Sequence, residues 1–174
     1  MEILLQTGQP APDFELPDLL SGEAVRLRNF RGQVAIVNFW SAACSWAERY
    51  DREILPLLAA WGPAVAYLPV AANENETDEE LRRGAEARGL PRLLRDVPHQ
   101  VADCYAAQTT PHYFVIDPGG ILRYQGGFNN ATFREKVATQ AYLVPAVEAV
   151  LAGHAPDVDT APAYGCAIIR YPEE

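Results

Sequence analysis

Cysteine, lysine and long apolar runs are all scarce in this sequence, and each shortage excludes something. Three cysteines, Cys44, Cys104 and Cys166, are too few and too odd in number for a disulfide framework. They lie 60 and 62 residues apart, which fits no compact zinc motif, so no metal site is expected. No apolar stretch approaches the roughly 18 residues of a membrane span. Residues 1–9 have neither the cationic start nor the apolar core of a secretory leader. The expectation is a cytoplasmic protein with no membrane span, whose cysteines begin as thiols. Basic residues are also few, 14 against 23 acidic, for a formal net charge of -9. That balance argues against nucleic acid or an anionic membrane as a partner held by a broad basic patch. Lys136 is the only lysine, which we read as genome composition.

What is present is globular: 49% hydrophobic and 10% aromatic residues in a chain of 174, a length that fits one domain. Residues 8–22, rich in Pro, Gly and Asp, hold a candidate edge strand at 13–16, and residues 23–27 alternate polar and apolar, so an N-terminal hairpin is expected. Residues 33–40 (QVAIVNFW) read as a central strand covered on both faces. A helix is expected over 46–61, its polar face carrying Glu48, Arg49, Asp51, Arg52 and Glu53, with Pro56 kinking it. Residues 65–71 read as a second buried strand. Thr77 and Glu80 form a capping-box pattern for a helix over 78–88 that Gly89 ends. A very short strand at 93–94 and a short helix over 98–106 follow. Residues 112–117 and 121–125 read as a hairpin around Pro118-Gly119-Gly120, and 132–151 as a long, mostly helical segment. From Gly153 the proline-bearing tail reads as extended. The fold class is therefore α/β, a central mixed sheet flanked by helices. One domain is expected over 1–174, with 1–32 as an N-terminal extension and 153–174 as a C-terminal tail.

Cys44 carries the chemical interest. It falls at the start of a helix directly after a buried strand, where free backbone N–H groups and the positive end of the helix dipole favour a thiolate. The same place also suits a small buried apolar residue. Thr110-Pro111 precedes a strand, where a proline cannot donate to the ladder. A cis bond there would turn the chain and leave the Thr110 backbone free to pair with a peptide or pack on a thiol.

Residues 39–47 (FWSAACSWA) resemble the active-site segment of the thioredoxin superfamily, and Thr110-Pro111 resembles its cis-proline loop. The stretch APDFELPDLLSGEAVRLRNFRGQVAIVNFW is similar to the opening of the redoxin and alkyl-hydroperoxide-reductase-like branch. The stretch QTTPHYFVIDPGGILRYQG and a C-terminal Gly-Cys-x-Ile (165–168) are similar to bacterial thioredoxin-family, peroxiredoxin-like proteins. The resemblance implies a thioredoxin fold. It also implies a thiol–disulfide oxidoreductase-like activity with Cys44 as redox nucleophile, needing no cofactor. Partners would be a protein disulfide or a peroxide as substrate and an external thioredoxin- or glutathione-type thiol as reductant. Trp40, Ser41, Trp46, Thr110 and Pro111 would shape the substrate cleft.

Two departures from the family pattern matter. Ala47 stands where the second motif cysteine belongs, and Val37 where a peroxiredoxin has proline. A resolving thiol must then come from elsewhere. Cys166, in a tail that can fold back, is the candidate; it would attack a sulfenic acid or mixed disulfide on Cys44. Cys104 is an auxiliary candidate that also reads as core filler. Arg123 could support a thiolate or simply pair with an aspartate. His112 and the polar loop Asn73-Glu74-Asn75 lie near the same sheet end. Two alternatives stay open: a non-catalytic binding module of the same fold, and a one-cysteine peroxidase with antioxidant activity against hydroperoxides.

Overall fold

β3 (Val34–Phe39) is buried along its whole length because the chain covers both of its faces. The computed structural model describes residues 4–171. Before β3, β1 (Glu15–Pro17) and β2 (Ala24–Arg26) form the expected antiparallel hairpin. β4 (Val65–Ala71) runs parallel to β3, Val34 opposite Val65 through Phe39 opposite Val70. β5 (Leu94–Arg95) adds to β4 in parallel. On the other side β7 (His112–Ile116) pairs antiparallel with β3, and β8 (Leu122–Gly126) with β7. The sheet order is β5-β4-β3-β7-β8, the mixed sheet of a thioredoxin fold. Two further short strands, β6 (Thr109–Thr110) and β9 (Cys166–Ala167), make a separate antiparallel pair.

Alternation along β3 divides the core in two. Val34 and Ile36 face α1 (Ser45–Trp61), α2 (Asp78–Arg88) and α4 (Leu143–Leu151) through Ala47, Ile54, Leu81, Ala85, Leu143 and Val147. Ala35, Val37 and Phe39 face the N-terminal segment and α3 (Gln100–Cys104) through Phe14, Leu16, Val101 and Tyr105. The capping box at α2 forms as the sequence indicates: Thr77 accepts from the Glu80 N–H and the Glu80 carboxylate accepts from the Thr77 N–H.

The expected helix over 132–151 is a correction: only Leu143–Leu151 is helical. The Asn130 carboxamide oxygen accepts from the backbone N–H groups of Thr139 and Gln140, and Thr132 Oγ1 takes that of Glu135. Side chains here offer the backbone partners that a helix would otherwise supply. The tail is extended, as read. It runs alongside β8 in a short parallel bridge, with the Gln125 N–H donating to Asp159 O and the Ala161 N–H to Gln125 O, then reaches β6. Among the described residues no helix is long and apolar enough to cross a membrane.

Candidate redox site

The site lies where β3 and β4 end. Their C-terminal loops meet beside the β6–β7 segment, the usual location of ligand sites in parallel sheets. Cys44 is the N-cap residue of α1, 2% exposed, its backbone extended at φ -89° and ψ 118°. Its carbonyl accepts the Glu48 N–H, which starts the helix, and the Ala47 N–H is aimed at its sulfur.

The tail supplies the second sulfur. β9 pairs antiparallel with β6, Cys166 opposite Thr110 and Ala167 opposite Thr109. Cys166 Sγ thereby lies 2.8 Å from Cys44 Sγ, across 122 residues of chain. Gly165 permits that approach: a Cβ there would sit 2.1 Å from the Thr110 carbonyl oxygen. Further along, the Ile168 N–H donates to Gln108 O, the Ile169 N–H to Asn73 Oδ1, and Arg170 reaches Asp103 and the Ala107 carbonyl. On the other side Tyr164 stands edge-on to Trp46, ring centres 5.1 Å apart, and its hydroxyl accepts the Phe133 N–H.

The two sulfurs have opposite electrostatics. Burial pushes the Cys44 thiol up. Interactions with Cys166, Thr110 and the backbone N–H groups of Ala47 and Cys166 outweigh it, and the net position is below an ordinary thiol. The Cys44 thiol donates to the Thr110 carbonyl at 3.0 Å, while Thr110 Oγ1 is buried without a hydrogen-bond partner. Cys166 is pushed up to about 12, first by burial, then by donating to Cys44, by the Cys44 charge and by Glu76. Of the two thiols, Cys44 is therefore the one that ionises first.

A frame of polar residues fixes the loop before Cys44. Trp40 is fully buried, so it is a core support and not a wall of an open cleft. Its indole N–H donates to Asp51 Oδ2 at 2.8 Å. Arg88 lies over the Trp40 ring, pairs with Asp51 at 3.3 Å and donates to the carbonyls of Ser41 and Ala42. Ser41 is buried, its Oγ accepting the Ala43 N–H, and that N–H also meets Glu76 Oε1 at 3.0 Å. Trp46 is half-buried at the rim. Thr110 and Pro111, joined by a cis bond, are buried beneath the tail.

Other expected residues fall elsewhere. Cys104 is exposed on α3 and fills no core. Arg123 pairs with Asp117 at 2.8 Å in the β7–β8 turn, so its charge is spent there. His112 is buried and stacked on Phe114; it accepts the Gln108 N–H and has no contact with the thiols. Sequence reading missed Asp51, Arg88 and Glu76. Asp51, expected on the polar face of α1, is 1% exposed. A signal existed: Asp51 follows Cys44 by seven residues and Ala47 by four, which puts it on the buried face of the helix. Arg88 and Glu76 gave none, because their partners come from other elements.

Comparison with known proteins agrees with this architecture. The model of the AhpC/TSA family matches residues 7–125. The thiol-disulfide oxidoreductase ResA of Geobacillus thermodenitrificans (strain NG80-2) is 33% identical over 120 residues, which are 67% of this chain and 66% of that protein. The chain thus spans just under two thirds of that relative's length. Among solved structures, the hypothetical protein SMc02350 from Sinorhizobium meliloti 1021 has a TM-score of 0.87 at 28% identity, covering 98% of both chains. The thioredoxin domain of thiol-disulfide oxidoreductase BVU-2223 from Bacteroides vulgatus has a TM-score of 0.63 at 25% identity, covering 70% of this chain and 88% of that one. Cys166 lies outside the residues that the family model matches, whereas β1 to β8 up to Gln125, with Cys44 among them, lie within, and by that match the chain belongs to the AhpC/TSA family.

Proposed function

We propose that the protein carries out thiol–disulfide exchange with Cys44 and Cys166 as its redox pair. One observation carries this: the 2.8 Å contact between sulfurs from opposite ends of the chain, set by the β6–β9 pairing. The likeness to ResA, named a thiol-disulfide oxidoreductase, supports the same activity.

In the reaction, the Cys44 thiolate attacks one sulfur of a substrate disulfide. A Cys44–substrate disulfide forms and the second substrate sulfur leaves as a thiolate, taking a proton from water. Cys166 then loses its proton and attacks Cys44 Sγ, forming the Cys44–Cys166 disulfide and releasing the first substrate sulfur. The substrate gains two electrons and the protein loses two. An external thiol of the thioredoxin or glutathione type returns them. With the tail docked Cys44 is 2% exposed, so a substrate disulfide reaches it only when the tail lifts. In the cytosol, the compartment we favour, the internal disulfide is transient.

The test is oxidation with glutathione disulfide followed by mass-spectrometric mapping. A Cys44–Cys166 disulfide is expected, with Cys104 left as a monothiol or a glutathione adduct. Absence of that bond while Cys104 does form an adduct overturns the assignment. Replacement of either Cys44 or Cys166 by serine is expected to abolish the bond, and Cys104→Ala to leave it.

A further inference from the structure

The loop after β4 ties the two halves of the redox pair together. Glu76 is 6% exposed. Its Oε1 accepts the Ala43 N–H, one residue before Cys44, at 3.0 Å. Its Oε2 accepts from Asn73 Nδ2 at 3.0 Å. Asn73 in turn accepts the Ile169 N–H at 2.8 Å, three residues beyond Cys166, and the Ile169 carbonyl accepts the Glu74 N–H. Two buried side chains therefore form a brace from the loop of one cysteine to the strand of the other.

The Glu76 charge is not neutralised within this brace. Arg95 of β5 donates to the backbone carbonyls of Ala71, Asn73 and Glu76 and pairs with the Asp78 carboxylate of α2. Arg88 is engaged by Asp51, Ser41 and Ala42, and Arg170 by Asp103 and Ala107. Among the described residues the Glu76 carboxylate makes no ion pair. The other ionisable groups around it are Glu74 on the same loop, Cys44 beyond Ala43, and Cys166 on the tail. Its charge opposes ionisation of Cys166. A buried carboxylate without an ion pair is costly unless hydrogen bonds offset it, and here the Ala43 N–H and the Asn73 carboxamide supply them.

Resting on the Cys44–Cys166 pair proposed above, we infer that Glu76 is a positioning residue: with Asn73 it bridges the Ala43 N–H and the Ile169 N–H and so holds the tail with Cys166 facing Cys44, and its carboxylate adds negative charge on the Cys166 side. The brace and the charge make separate predictions. Loss of the brace loosens the tail without changing which thiol ionises first. Loss of the charge eases ionisation of Cys166.

The experiment uses the full chain with Cys104→Ala, so that two thiols remain. In one arm Cys44→Ser isolates Cys166, and its rate of alkylation by iodoacetamide is followed against pH with and without Glu76→Gln. The variant is expected to move the midpoint down by about one pH unit, seen as about tenfold faster alkylation at fixed pH below the midpoint. In the other arm both cysteines are kept, and the Cys44–Cys166 disulfide is equilibrated with a glutathione redox buffer. Asn73→Ala is expected to lower the effective concentration of the pair about tenfold, and to leave the Cys166 midpoint in place in the first arm. An unchanged midpoint in Glu76→Gln overturns the charge role, and an unchanged equilibrium in Asn73→Ala overturns the brace. If Glu76→Gln does not fold by circular dichroism, Glu76→Ala takes its place in the first arm, and Asn73→Ala still decides the brace. If the wild-type chain forms no Cys44–Cys166 disulfide, the proposed function falls and this inference with it. If it forms one and the variants match it, only this inference falls.

Discussion

Single side chains at the site are held by partners from distant parts of the chain, and their sensitivity follows from that. Asp51 is 1% exposed and relies on Trp40 and Arg88. Burial raises its carboxyl above the ordinary range, partly offset by the Trp40 hydrogen bond and the Arg88 charge. Arg88→Ala removes the cation and the ties to the Ser41 and Ala42 carbonyls. We expect a loss of about 3 kcal/mol in urea denaturation, with the Cys44 loop loosened as well. His112 gives a pH dependence of definite sign. Burial pushes its imidazole down to about 4, while the unfolded chain has the ordinary 6.5. The unfolded state binds the proton first, so the contribution is full above pH 6.5 and is lost as pH falls toward 4, by about 3 kcal/mol in all. Denaturation midpoints measured from pH 7 to pH 4 check this, and His112→Phe is expected to flatten that slope.

At the scale of elements, strands and capped helices were legible where local chemistry decides them. β3 and β4 are continuous apolar runs because both faces are covered, and α2 has its capping box and its Gly89 stop. The segment before α4 was misread because Asn130 holds backbone N–H groups nine and ten residues away, which periodicity does not reveal. The β6–β9 pair is only two residues long on each side, too short for any pattern. It depends on Gly165 lying against the Thr110 carbonyl. Gly165→Ala is expected to weaken tail docking by about 2 kcal/mol, or about thirtyfold in docked population. Slower formation of the Cys44–Cys166 disulfide in a glutathione redox buffer would show it, and an unchanged rate would refute it.

For the whole molecule, the end of the tail adds little to a core that the sheet and helices already close. Of the described residues from 165 onward only Ile168 is buried in that core. A chain ending at Tyr164 is expected to fold, with a thermal midpoint lower by about 5 °C. Its Cys44 loses the Cys166 hydrogen bonds and gains exposure. Alkylation of Cys44 should therefore become faster at pH 8, since access limits the docked form, and no intramolecular disulfide should form. Unfolding on truncation would show that the tail belongs to the cooperative core instead.

The order of the main strands and helices, the place of Cys44 at a helix start and the absence of a second motif cysteine at Ala47 are legible in the chain alone, because these depend on residues near one another in it. That Cys166 meets Cys44, and that Glu76 and Asn73 bridge the Cys44 loop to the tail, follows from the folded arrangement alone. Those contacts span from 33 to 122 residues of chain. Their formation depends on the whole sheet and both helix layers being in place first, and no local pattern encodes a distance of that kind.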